Sequence, residues 1–255
     1  MSLESLIFDV DGTLADTEKD GHRIAFNSAF SAAGLDWQWD EALYGKLLAV
    51  TGGKERMKHY IDEFRPDYQK PADFDEMVIQ LHASKTRYYT DLLDRGGIPL
   101  RPGVLRLLHE ARAAGLRLAI ATTTTPANVS ALLRNAIAPE AESWFEVIGA
   151  GDVVAAKKPA ADIYDYVLKQ MDIQPANCLA FEDSENGIKS SLGAGLQTVI
   201  TVNGYTKNHN FDHAVIVLDQ MGEPDQPFSV LSKTPVNGAN YLDLSLLQRL
   251  HQGSV

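Results

Sequence analysis

The chain has 255 residues, 45% hydrophobic and 22% charged, with 23 Lys and Arg against 34 Asp and Glu and a formal net charge of −11. That length allows one large domain or a core with a smaller partner, and the acidic balance excludes a protein that grips a nucleic-acid backbone along a basic stripe, though not one that binds a small phosphorylated molecule. Cys178 is the single cysteine, no apolar run approaches the ~20 residues of a membrane span, and Met1-Ser2-Leu3-Glu4 does not read as a signal peptide, so a soluble, cytoplasmic protein without internal disulfides is expected.

Leu6-Ile7-Phe8 is a brief β-forming run without alternation, which suits a strand buried on both faces. From Thr17 to Gly96 the patterns are helical only: Ile24 to Ala33, Ala42 to Ala49, Glu55 to Phe64 and Phe74 to Leu93. Val104, Leu107, Leu108 and Ala111 then fall at helical spacing between Pro102 and Gly115. Further strand-like runs stand at Leu116 to Ala121, Val147-Ile148, Leu179-Ala180-Phe181 and Val199 to Val202, with a helix through Ile163, Val167 and Met171 after Pro159. Alternating strands and helices predict an α/β fold with a doubly wound, Rossmann-like parallel sheet. The core is expected over 1–16 and 97–255, with an inserted all-helical domain over 17–96. Gln220 to Asn240, carrying Pro224, Pro227 and Pro235, reads as a surface loop.

Four signals could do chemistry. Asp9-Val10-Asp11-Gly12-Thr13 follows the first strand, and Glu182-Asp183 follows Phe181. Carboxylate pairs where buried strands end are costly unless something neutralises them. Thr122 ends the run Leu118-Ala119-Ile120-Ala121, where a hydroxyl and the following N–H groups suit phosphate oxygens. Lys158-Pro159 offers a cation, although spacing alone does not decide between Lys157 and Lys158. Taken singly, each also reads as an ordinary turn, cap or surface residue, the two carboxylate pairs as readily as they read as functional. A doubly wound sheet with the first strand central, flanked by the second and fourth, brings all four to one edge. There a phosphate meets carboxylates at about 4 kcal/mol per pair of unit charges 4 Å apart, with an effective dielectric near 20. A hard divalent cation such as Mg²⁺ answers that repulsion.

This ordered set resembles the haloacid-dehalogenase-like phosphohydrolase superfamily, and the likeness runs the length of the chain. The helical insertion is similar to that family's small helical cap. Within it, Asp16-Thr17-Glu18-Lys19-Asp20-Gly21-His22-Arg23, Thr51-Gly52-Gly53-Lys54-Glu55-Arg56, His82-x-x-Lys85-Thr86 and Ala121-Thr122-Thr123-Thr124-Thr125-Pro126-Ala127-Asn128 look like the CbbY branch. That branch contains phosphatases of sugar bisphosphates, notably xylulose 1,5-bisphosphate. Ala161 stands where the branch usually has Pro, and the Pro-rich segment after Gln220 is longer than usual.

The resemblance implies phosphoryl transfer with Asp9 as nucleophile and Asp11 as general acid and base. It implies Mg²⁺ on Asp9, Asp11 (through its carbonyl), Glu182 and Asp183, with Thr122 and Lys158 on the phosphoryl oxygens. Glu18, His22, Gly53, Lys54, Arg56, His82, Lys85, Thr123 and Asn128 are the expected substrate contacts, the cap cations serving a second anionic group. The expected partner is a small phosphorylated sugar, with no nucleic acid and no membrane, and the chain is expected to be a monomer. A β-phosphoglucomutase-type mutase and a phosphatase of another ester such as phosphoglycolate remain the alternatives. A dehalogenase lacks the second Asp, and a phospho-acceptor receiver has about half this length and no insertion.

Overall fold

The structure is a computed structural model and describes residues 2–253. Met1, Ser254 and Val255, at the ends of the expected core segments, lie outside the described residues. Six parallel strands form one sheet in the order β3-β2-β1-β4-β5-β6, built from β1 (Ser5–Phe8), β2 (Arg117–Ala121), β3 (Val147–Gly149), β4 (Cys178–Glu182), β5 (Gln197–Thr201) and β6 (Ile216–Leu218). β1 lies between β2 and β4, as expected. All four residues of β1 are buried, because helices cover both faces of the sheet. Phe8 pairs with Ile120 and with Phe181 and stacks on the Phe181 ring at 4.5 Å. This register makes Asp9, Thr122 and Glu182-Asp183 emerge together at the carboxyl edge of the sheet.

Helices α1 (Arg23–Ala32), α2 (Glu41–Leu47), α3 (Gly53–Phe64) and α4 (Phe74–Asp94) follow β1 and precede α5 (Val104–Ala113). They share an aromatic-rich cluster of their own around Phe26, Phe30, Trp39, Tyr44 and Tyr60. The buried stripe of α4 runs Phe74, Val78, Leu81, Lys85, Tyr89, Leu93, so a lysine occupies a core register. His22, in a π-helical turn Glu18–His22, is likewise buried one turn before Phe26. The remaining helices are α6 (Pro126–Ala136), α7 (Asp162–Met171), α8 (Glu185–Gly193) and α9 (Leu244–Gln252).

Two expectations are corrected. β6 is absent from the expected strands, although Val215-Ile216-Val217-Leu218 is an apolar run of the same kind as Val147-Ile148. Gln220 to Asn240 is not a free surface loop: Met221 and Phe228 are buried in the main core, and Val230 pairs antiparallel with Leu218. Leu231 N–H donates to the Val217 carbonyl at 2.8 Å, so this segment covers the edge of β6 that would otherwise present unpaired groups. Among the described residues, no helix is long and apolar enough to cross a membrane.

Candidate active site

Asp9 leaves β1 with its N–H on the Phe181 carbonyl at 3.0 Å. Its carboxylate meets Lys158 Nζ at 2.7 Å, and the same ammonium donates to Glu182 Oε1 at 2.6 Å and the Ala121 carbonyl at 2.9 Å. Lys158 is therefore the inward lysine. Lys157 turns instead to Asp152 and Glu55. The Tyr164 hydroxyl also donates to Glu182 Oε1 at 2.6 Å, and Asn203 Nδ2 donates to Asp183 Oδ2 at 2.6 Å. Among the described residues, Glu182 Oε2 is buried without a partner.

Asp9, Glu182 and Asp183, all buried, offer carboxylate oxygens that lie within 4.8 Å of one another. The set fits a hard divalent cation: oxygen donors only, one of them orphaned, and net negative charge out of water. Burial raises the Asp9 carboxyl to about 7; Lys158 lowers it, while Glu182 and Asp11 push it up. Burial, then Asp9 and Glu182, hold the Asp183 carboxyl well above its usual range. Glycines make the approach possible. Gly12 has φ of 84°, and a Cβ there would strike the Asp183 carboxylate and the Asn203 amide. A Cβ at Gly187 would land on Glu182.

Asp11 is not in this cluster. Its Oδ1 accepts from the Thr17 hydroxyl at 2.5 Å and lies 2.8 Å from His22 Nε2, while Lys85 Nζ lies 2.8 Å from His22 Nδ1. Burial alone would raise the Asp11 carboxyl, but His22, Thr17 and Lys85 outweigh it and hold it well below the usual range. Burial lowers Lys85 to about 8 against the pull of Asp11 and Glu18.

Thr122 is buried, and its Oγ1 accepts from Thr124 N at 3.3 Å. The N-cap of α6 is Thr125, which leaves Thr122 outside that role. Asn128 is buried in the first turn, donates to Thr124 Oγ1 at 2.9 Å, and leaves its Oδ1 unpartnered.

Two cavities adjoin, sharing Asp11, Glu18, Arg56 and Thr123 as a partition. The first, of 320 Å³, contains the carboxylate cluster, Thr122 and Lys158. The second, of 430 Å³, is lined by Gly53, Lys54, His82, Lys85, Asn128 and Lys157. Each is within the size range of small-molecule pockets. The cap cations are less free than their sequence suggested. Arg56 donates to the Tyr44 hydroxyl at 2.9 Å and lies 3.8 Å from Glu18, to which Tyr44 also donates. Lys54 donates to Asp152 at 2.8 Å. Burial, with Lys85 and Lys54 nearby, lowers His82 to about 3, which leaves it neutral.

Sequence reasoning missed Arg101, Tyr164, Tyr44 and Asp152. Arg101 is buried and donates to the carbonyls of Gly12, Thr201 (2.9 Å), Val202 (2.5 Å) and Asp219 (2.7 Å), bracing the loop after β1 against the end of β5. Except for Lys157, five residues after Asp152, their partners lie far along the chain, so no spacing announces them.

A family model described as haloacid dehalogenase-like hydrolase matches residues 3–195. Protein CbbY (plasmid) of Cupriavidus necator is 44% identical over 253 residues, 99% of this chain and 98% of that protein. Protein CbbY of Rhodobacter capsulatus is 49% identical over 214 residues, 84% of this chain and 92% of that protein. A crystal structure of an Asp-to-Asn variant of CbbY from Rhodobacter sphaeroides, in complex with xylulose-(1,5)bisphosphate, matches with a TM-score of 0.77 and 43% identity over 86% of this chain and 94% of that one. On this likeness and on the geometry above, the chain belongs to the haloacid dehalogenase-like hydrolases, in the branch of the CbbY proteins.

Proposed function

We propose that this phosphatase removes one phosphate from a sugar bisphosphate, xylulose 1,5-bisphosphate being the first candidate, by way of a phosphoryl group carried on Asp9. The observation that carries the reading is the pair of adjoining cavities, one holding buried carboxylates beside Lys158 and the other lined by lysines. The xylulose-(1,5)bisphosphate complex of the Rhodobacter sphaeroides relative supports the substrate class.

Asp9 attacks phosphorus and the sugar alkoxide leaves. Lys158 and Thr122 hold the phosphoryl oxygens where charge gathers. Asp11 rests as a carboxylate, so the proton it passes to the alkoxide is drawn from His22, and Asp11 then takes one from the water that hydrolyses the aspartyl phosphate. The contacts from Lys85 through His22 to Asp11 offer a route by which that proton is supplied. Asp9, Glu182, Asp183 and the carbonyl of Asp11 would hold Mg²⁺, which neutralises the approach of a dianionic phosphate and polarises the phosphoryl group. Glu18 and Asn128 would meet sugar hydroxyls, while His22, expected as a substrate contact, has both ring nitrogens engaged by Asp11 and Lys85 and acts through Asp11; Gly53, Lys54, Arg56, His82, Lys85 and Thr123 line the route to the second anion.

Phosphate release with Mg²⁺ should be compared on xylulose 1,5-bisphosphate, ribulose 1,5-bisphosphate, fructose 1,6-bisphosphate, glucose 1-phosphate and phosphoglycolate. A bisphosphate is expected to be preferred, and Asp9→Asn should lose about a thousandfold or more in turnover. Activity of that variant within tenfold of wild type refutes the nucleophile. Preference for a monophosphate removes the second-anion reading, and isomerised sugar phosphate without inorganic phosphate makes the chain a mutase.

A further inference from the structure

The second cavity is lined by charges from both halves of the molecule, Lys54, Asp152 and Lys157 among them. Lys54, in the first turn of α3, donates to Asp152 Oδ2 at 2.8 Å, and Lys157 Nζ lies 3.0 Å from Asp152 Oδ1. One carboxylate on the loop after β3 thus holds an ammonium from the cap and another from the core. The start of α3 comes to the same place. It has no side-chain cap at Gly52, whose φ is 97°; a Cβ on Gly52 would strike the Glu55 carboxylate and lie 3.1 Å from Lys157 Nζ, and that Glu55 carboxylate, 3.6 Å from the same ammonium, is the second acidic group here besides Asp152. Two ammonium groups beside an uncapped helix start match what an anion's oxygens require.

Asp152 already satisfies both ammonium groups, yet its side chain is 64% exposed against 16% for Lys157 and 32% for Lys54. The carboxylate can swing into water while the lysines stay. Ion pairs this exposed contribute little, so the exchange is cheap. The hydrogen bonds from Lys54 and Lys157 hold the Asp152 carboxyl down at about 2, which keeps it an anion at any working pH.

We propose that Asp152 is a built-in place-holder for the distal phosphate of the substrate: it positions Lys54 and Lys157 across the cap–core boundary and is exchanged for that phosphate on binding. The proposal rests on the bisphosphate reading above and adds which charge the substrate displaces. A phosphate dianion gains more from two ammonium groups than a carboxylate does, whereas a neutral or singly charged distal group gains nothing by the exchange. Asp152 is therefore a positioning and specificity residue.

Asp152→Asn keeps the side-chain size and removes the competing charge. Inorganic phosphate, titrated calorimetrically into the metal-free variant, should bind about fivefold tighter than to wild type. With Mg²⁺, the KM for the bisphosphate should fall by a similar factor, exceeding any change in kcat. Asp152→Glu should restore the wild-type values, and adding Lys157→Met to Asp152→Asn should cancel the gain. A residue that only props the loop would raise KM or lower kcat, and that result overturns the proposal. If wild type hydrolyses the bisphosphate while Asp152→Asn binds phosphate no tighter, the exchange fails alone. If wild type releases phosphate from no sugar bisphosphate, the functional reading fails, and the phosphate titration still decides whether Asp152 competes for the lysines.

Discussion

Lys158→Met tests the electrostatics of the core most directly. The Lys158 ammonium is 5% exposed, sits 2.7 Å from Asp9 and 2.6 Å from Glu182, and lies over the Tyr164 ring. Burial opposes its charge, but the two carboxylates outweigh burial and hold the ammonium well above its usual range. Methionine fills the same space without charge and leaves Asp9, Glu182 and Asp183 mutually repelling and out of water. Removing one partner of a buried ion pair costs about 3–5 kcal/mol. For a chain of this size that is a fall of about 6–20 °C in Tm at 2–4 °C per kcal/mol. Mg²⁺ should restore part of the loss, since a cation at a hundred times its Kd adds about 2.7 kcal/mol, and the variant should gain more from it than wild type does. Lys157→Met is the control. Its pairs are partly exposed, worth under about 1 kcal/mol, and its Tm should fall by less than about 4 °C. Differential scanning fluorimetry of both variants with and without Mg²⁺ reads all of this. Should metal-free Lys158→Met melt within 2 °C of Lys157→Met, the claim that one ammonium holds this cluster together is wrong.

Gly187→Ala places a methyl group on the Glu182 carboxylate and drives it from Lys158 and Tyr164. Mg²⁺ affinity by calorimetry should fall by about tenfold or more, and a change under twofold refutes the assignment of Glu182. Lys85 supplies a pH test: burial takes its pKa from 10.5 to about 8, so the folded protein binds fewer protons than the unfolded chain between those values. Charging it costs about 3 kcal/mol below pH 8, and that cost disappears as pH rises to 10.5. The unfolding free energy of wild type minus that of Lys85→Met, from urea titrations at pH 7.5 and pH 10, should therefore rise with pH; a flat difference refutes a charged, buried Lys85.

The strands that carry the site were legible because they are buried on both faces and so read as unbroken apolar runs, Leu6-Ile7-Phe8 and Leu179-Ala180-Phe181 above all. Their order followed from the rules of doubly wound sheets. The short strand Ile216–Leu218 left a signal that went unread, the apolar run Val215 to Leu218, whereas the packing of Met221 and Phe228 was not legible, since prolines mark the segment around them as irregular without saying what it covers. The carboxylates announced themselves by position at strand ends. Which lysine turned inward did not, because adjacent residues differ only in the direction the loop gives them. Lys85 carried a signal that was available: it interrupts the apolar stripe Val78, Leu81, Tyr89 at a core register. Asp152 carried little, because beside the nearby Lys157 its meaning comes from Lys54, 98 residues away in sequence.

The two charge clusters are balanced differently, and the imbalance determines what each can bind. In the core, Asp9 and Glu182 share the ammonium of Lys158 beside a third buried carboxylate, Asp183, and among the described residues Glu182 Oε2 has no partner. Such a cluster gains a cation without giving anything up. On the cap side the cations are matched, Lys54 and Lys157 by Asp152, Arg56 by Glu18, and Lys85 through His22 by Asp11. An anion entering there does so by displacement. The value of a second phosphate is then its attraction to the lysines less that of the carboxylate it replaces, a difference of two similar terms. Under the proposed function, discrimination between a bisphosphate and a monophosphate would accordingly be smaller than two bare lysines would give, and the charge on Asp152 would set how much smaller.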